Sequence, residues 1–376
     1  MRGNSHVRFL GEDVTARWRP YPTSRHSTMK KAPLRRLFYA RPPVQPGTGQ
    51  KIQINKYVSL CHPDGAATLY AKQAHVTGDR EEGMSAQASK LDSPRLQYQW
   101  PEPPTAKALD RAFPGILDGA MLLSGGANII LQLALPAVGY GVAESRVTSG
   151  SILHHPIKRS RTTFTYLSVA LMGTSEEKLA YRTAVNRSHA QVRSTASSPV
   201  QYNAFNEDLQ MWVAACLYWG FMDAHQKLHG PISRDKQAEF YELARPLGTT
   251  LQVRPETWPE DLDAFDAYWE AGLARLHIDE RIRDYLMMIA DLKFLGPVPR
   301  VLFGRLNRFM TTGFLPPQLR EQMQLPWNDR KQRRFERTVR AVGRLSLLLP
   351  RIIRQMPYNL VMWDFRRRLK RDRPLV

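Results

Sequence analysis

Cysteine is scarce in this 376-residue chain: Cys61 and Cys216 are the only two. That excludes a disulfide framework and the paired spacing of a zinc site. Cys216 sits in an apolar run and reads as a core residue, and the usage fits a reducing, cytoplasmic location. Near the N-terminus no apolar core of about 7–15 residues precedes a small-residue cleavage site, so no secretory signal is read there. No histidine has a glutamate three residues before it, which excludes the Glu-x-x-His pairs of a di-iron bundle. His-Glu-x-x-His is absent, as are a phosphate loop after a strand and a Gly-x-Ser-x-Gly elbow. Neither alternating hairpin-bounded segments nor strand–helix alternation occurs, and no internal repeat is visible. What remains is an all-α class.

Acids are short at both ends. Residues 1–95 hold 16 Lys and Arg against 7 acids, and residues 330–376 hold 15 against 3. Residues 96–329 hold 23 against 24. The near-neutral body argues against nucleic acid as a partner, which calls for a basic face on the folded domain. A basic tail suits an anionic membrane surface.

Arg41-Pro42-Pro43 and Pro46-Gly47-Thr48-Gly49 break any periodicity in the first segment. Residues 1–95 are therefore expected to form a disordered basic leader, with Met84 an alternative start. Residues 96–329 are expected to form a single large helical domain, big enough to enclose a cofactor, and 330–376 a basic amphipathic C-terminal segment. Helices are expected at about 119–134, 160–172, 176–193, 206–228, 234–244, 259–275, 279–294, 300–311 and 332–348. Residues 119–143 carry no charge and match a bilayer in length. The glycines in that stretch, with Pro136, Asn128 and Gln132, favour a buried helix broken near the proline. Leu345 to Trp363 is apolar but interrupted by Arg351, Arg354, Pro350 and Pro357. Two readings stand there: an amphipathic segment lying on a membrane, possible peripheral contact included, or a tail packing back on the body.

His189 is the residue on which function turns. Thr174-Ser175-Glu176-Glu177 has the form of a capping box. From it Tyr181, Val185, His189 and Val192 recur along one helical stripe, with Arg187 on the opposite face. The imidazole therefore points inward, where it needs a partner. A backbone carbonyl or a haem iron would each serve. About 26 residues upstream lies Lys158-Arg159-Ser160-Arg161-Thr162-Thr163, either a solvated helix start or a group that neutralises a bound carboxylate. Glu144 is the only acid between Asp118 and Glu176; it reads either as a proton acceptor or as a salt-bridge partner of Arg146 or Arg159. His225 and His229 form an i, i+4 pair before Gly230. A shared metal and a charged helix C-terminus are the two readings there. His154-His155 reads as a surface loop, with a role at a haem edge left open.

The ordered series Leu131 to Val138, Gly141 to Ser145, Pro156 with the Arg/Thr cluster, Gly173-Thr174, His189-Ala190-Gln191-Val192, Tyr202 to Phe205 and Leu209 to Val213 resembles the haem-dependent oxygenase family of the mycophenolic-acid-pathway oxygenase and the rubber oxygenase (latex-clearing protein). The likeness runs from about Asp118 to about Trp269. It implies haem b with His189 as axial iron ligand, Arg161 and Thr162 beside the cofactor, and Arg159, Thr163 and Glu144 as catalytic residues. It also implies dioxygen and an apolar, isoprenoid-like or polyprenyl substrate cleaved at a double bond. In the family an Arg stands four residues before the Thr. Arg159 with Thr163 fits that spacing, as does Lys158 with Thr162 if lysine replaces arginine. Two departures are Leu135, where relatives commonly carry His before the Pro, and the absence of a lysine directly before either threonine. A haem-binding protein without turnover and a cofactor-free basic helical protein at a membrane surface are the alternative readings.

Overall fold

The computed structural model describes residues 100–147 and 150–376. The expected leader 1–95, Met84 and Cys61 lie outside the described residues. Side-chain caps start the helices. The Thr105 hydroxyl accepts the Ala108 amide at 3.1 Å and opens α1, Ala106–Ala112. A 3₁₀ turn, Gly119–Ser124, leads into α2, Gly125–Leu133. Pro136 then opens α3, Pro136–Ala143, after a 107° bend.

Next come α4, Pro156–Met172, and α5, Ser175–His189. Between them Thr174 and Glu177 make the reciprocal capping box. The long α6, Glu207–His229, is capped by Asn206. It is followed by α7, Arg234–Ala244, the short α8, Pro246–Thr249, and α9, Leu262–Leu273. After α10, Glu280–Ala290, come α11, Pro297–Phe314, and α12, Pro317–Gln322. The chain closes with α13, Asp329–Leu348, α14, Arg351–Arg354, and α15, Met356–Lys370. Among the described residues the regular structure is helical, apart from a single antiparallel bridge between Arg193 and Asn203.

Helix α6 is the axis of the core, because it is apolar on nearly every face. Trp212 stacks on Trp269 of α9 at 5.3 Å, and Trp219 stacks on the same ring at 5.0 Å. Tyr218 meets Phe265 and Tyr241 edge-on at 4.7 and 5.0 Å. Helix α13 crosses α6 at Gly343, where an added Cβ would lie 2.1 Å from the Leu228 carbonyl oxygen. The two polar residues of the uncharged stretch do structural work. Asn128 donates to the Cys216 carbonyl at 2.6 Å, and Gln132 donates to Asn128 at 2.6 Å. Ile130, Leu131, Leu133, Ala134 and Leu135 are buried in the core around them. No single helix among the described residues is long and apolar enough to cross a membrane.

Residues 330–376 belong to the same compact unit as the body, which spans Gln97–Val376. Helix α15 packs along α4, and Met362 and Phe365 form a small cluster with Val169 and Tyr181. Arg354 bridges Asp110, at 2.5 Å, and Asp118, a carboxylate with no solvent exposure. Ser346 also donates to Asp118, at 2.6 Å. Burial at that site demands this degree of pairing.

Candidate functional site

Helix α5 ends at His189, four residues short of the expected boundary, because the chain leaves the helix there to pair Arg193 with Asn203. Val192 therefore lies beyond the helix, and Tyr181 is the most deeply buried member of the stripe. His189 is half-buried, and its Nδ1 is out of solvent with no hydrogen-bond partner among the described residues. Its ring meets Phe205 edge-on at 6.3 Å. Burial, reinforced by the Arg159 charge, lowers the imidazole to about 4. At neutral pH the side chain is neutral and thus a competent electron-pair donor to a metal.

An amide network holds the last turn of α5. Gln252 donates to Asn186, one turn before His189. Gln210 of α6 donates to Gln252 at 2.5 Å and accepts the Gln252 amide at 2.9 Å. Sequence reading missed this pairing; polar residues on an otherwise apolar helix such as α6 are the signal that could have revealed it.

The Arg/Thr cluster divides by helical face. The side chains of Arg159 and Thr163, one turn apart on α4, enter no hydrogen bond or ion pair among the described residues, and Arg159 is exposed. The Arg159 charge is felt by His189, by Tyr181 of α5 and by Tyr285 of α10. Arg161 points elsewhere: its guanidinium pairs with Asp364 of α15 at 3.7 Å. Thr162 spends its hydroxyl on the Lys158 carbonyl at 2.9 Å, and its own carbonyl accepts the Tyr181 hydroxyl at 2.6 Å. The Arg159 charge thus reaches His189, whereas the Arg161 guanidinium is drawn to Asp364 and the Thr162 hydroxyl to the Lys158 carbonyl. Arg161 and Thr162, expected beside a cofactor, already have protein partners of their own.

Glu144 caps the end of α3 and faces a cleft of about 270 Å³ lined also by Arg146, Gln191, Arg193, Ser198 and Tyr202. Its carboxylate accepts Ser198 at 2.8 Å, Tyr202 at 3.0 Å and Arg281 at 3.0 Å. Burial raises its proton affinity, but these three partners outweigh that effect and hold it below the usual carboxylate range. The salt-bridge partner is Arg281, not Arg146 or Arg159. Gln191 and Val192 reach the cleft from the end of α5, so it adjoins the His189 turn.

The other histidines separate from this site. His154 and His155 are exposed, and His155 precedes α4 as its cap. His225 and His229 are not a solvated helix end. Both are half-buried to buried, their rings 5.1 Å apart, and burial lowers both imidazoles, so the neutral form is favoured. Among the described residues no three His, Cys, Asp or Glu side chains gather to hold a metal ion.

A protein-family model described as ER-bound oxygenase mpaB/B'/Rubber oxygenase, catalytic domain, matches residues 115–344. An uncharacterized protein of Mycobacterium tuberculosis and one of Mycobacterium bovis are each 48% identical over 250 residues. That alignment covers 66% of this chain and 98% of each relative. No solved structure matches the chain.

Proposed function

Because the chain belongs to the mpaB/rubber oxygenase catalytic-domain family, we propose that it is a haem b-dependent oxygenase with His189 as the axial ligand of the iron. The carrying observation is a half-buried imidazole held neutral, whose Nδ1 is out of solvent and has no partner among the described residues. His229 also has unpartnered buried nitrogens; at His189 that feature coincides with the neighbouring Arg159 charge and with the place the family resemblance gives the iron ligand. Bound haem would supply iron for dioxygen-dependent oxidation, and the family directs that chemistry to the double bond of an apolar, isoprenoid-like substrate.

The chain's own residues set the conditions for it. Arg159 is exposed and pairs with no acid among the described residues, which leaves it open to a propionate or another anionic group of a ligand. Thr163, one turn on, offers a hydroxyl with no internal partner. Glu144 stays ionised under its three hydrogen bonds, so its first role is to hold Arg281, Tyr202 and Ser198 at the cleft beside α5. These bonds oppose protonation, though the carboxylate oxygen that faces Arg281 keeps an acceptor site open.

Replacing His189 with Ala should abolish stoichiometric haem binding, measured as pyridine haemochrome, while far-ultraviolet circular dichroism keeps its helical form. Full haem occupancy in that variant would sink the ligand assignment. Oxygen uptake by the wild-type holoprotein with a polyprenyl substrate separates turnover from haem storage. Absence of a Soret band in the haem-reconstituted wild type would leave the cofactor-free reading standing.

A further inference from the structure

Large exposed apolar side chains are concentrated in two stretches of the chain. Of eighteen among the described residues, five lie on α11 and nine between Leu345 and Trp363. Val301 and Leu302 are 77% and 65% exposed; Leu348 and Ile352 are 79% and 78% exposed. The stretches are far apart in sequence but neighbours in space. Helix α11 packs on α13, and α11, α13 and α15 all pack on the Gly119–Ser124 turn. A monomer in water rarely exposes an apolar surface of this extent without a use for it.

Charge narrows the choice of occupant. Helix α11 has three arginines and no acid. From Val342 to Lys370 the only acid is Asp364, and it pairs with Arg161 and Arg368. Arg300, Arg305, Arg344, Arg351 and Lys370 enter no ion pair among the described residues. Two copies meeting through this face would set like charges against one another. Anionic headgroups would answer the cations while the acyl boundary takes up the apolar side chains. We propose that the outward faces of α11 and of the α13–α15 stretch form one peripheral docking surface for an anionic phospholipid bilayer.

The test uses the full chain and co-sedimentation with large vesicles, either of phosphatidylcholine alone or of phosphatidylcholine with phosphatidylglycerol. Wild type should partition at least about tenfold more strongly onto the anionic vesicles, and less as salt rises. Residues 1–95 are themselves basic, so the decisive comparison is between variants that share them. Leu302→Asp with Ile352→Asp should lower the partition coefficient about tenfold, and so should Arg300→Gln with Arg351→Gln. All four positions are exposed, so the melting temperature should stay near wild type, and the second pair keeps the test open should the first fail to fold. Wild-type partitioning in the folded variants would overturn the proposal, as would equal binding to neutral vesicles. Failure to bind either vesicle would overturn it in favour of a protein partner. A dimer that the aspartate pair converts to monomer, seen by analytical ultracentrifugation, would replace the bilayer with a second copy.

Discussion

His189 and His229 both close a helix, yet their surroundings give them different work. His189 is neutral beside an unpaired arginine. His229 lies under Gly115, with both ring nitrogens out of solvent and without partners. Its neighbour His225 bonds the Pro114 carbonyl at 3.1 Å through Nε2. Burial is the main cause that lowers both imidazoles of this pair. For His225 the Pro114 carbonyl and Asp118 oppose it. For His229 the charges of His225 and Arg354 add to it, while Asp118 and Asp110 oppose it. A histidine whose folded pKa lies below its unfolded value favours the neutral form. Its contribution to stability is therefore complete above the unfolded value of about 6.5 and lost as pH falls below it. The melting temperature should fall as pH drops through that range, and His229→Gln should make the fall shallower. An unchanged slope in the variant would assign the loss to other groups.

At the scale of elements, contacts between helices are made by backbone as well as side chains. Helix α13 reaches α6 only because Gly343 has no Cβ: the Leu228 oxygen and carbon would stand 2.1 and 2.6 Å from one. Backbone cannot rotate aside as a side chain does. Gly343→Ala should therefore destabilise by about 1–3 kcal/mol despite the better helix propensity of alanine. Gly125, at the start of α2, has nothing within 4 Å of its would-be Cβ, so Gly125→Ala serves as the control, neutral or slightly stabilising. Denaturant titration of the two variants decides the point. Equal midpoints would show that α13 can shift on α6 at little cost.

For the whole molecule, the C-terminal helices are part of the framework rather than an appendage. They contribute the Arg354 clamp and the buried Tyr358, Met362 and Phe365. Removing residues 350–376 takes the counter-charge from Asp110 and Asp118 and uncovers Tyr181. Leaving a buried carboxylate unpaired costs about 3–5 kcal/mol by itself, a large part of the stability of an ordinary domain. The truncated chain should melt well below the full one or fail to fold. A wild-type melting temperature after truncation would show that the clamp and the Tyr181 cluster are dispensable.

Helix existence was legible because its causes are local. Thr174, Asn206 and Ser233 cap within three residues of themselves, and the stripe through Tyr181 and His189 repeats within one helix. The break at Pro136 was legible for the same reason. Boundaries that depend on what comes next were not: the helix expected from 259 is capped by Asp261 and begins at Leu262. The sequence by itself determined an all-helical body and an inward His189. Only the tertiary structure decided that the Arg159 charge reaches His189 while Arg161 is drawn to Asp364, 203 positions later in the chain. Likewise it chose Arg281 as the partner of Glu144, 137 residues away. It also brought α11, with its exposed apolar residues, beside the C-terminal helices that carry theirs. Such pairings carry no periodic signal, because they are set by how whole helices pack rather than by hydrogen bonds between near neighbours.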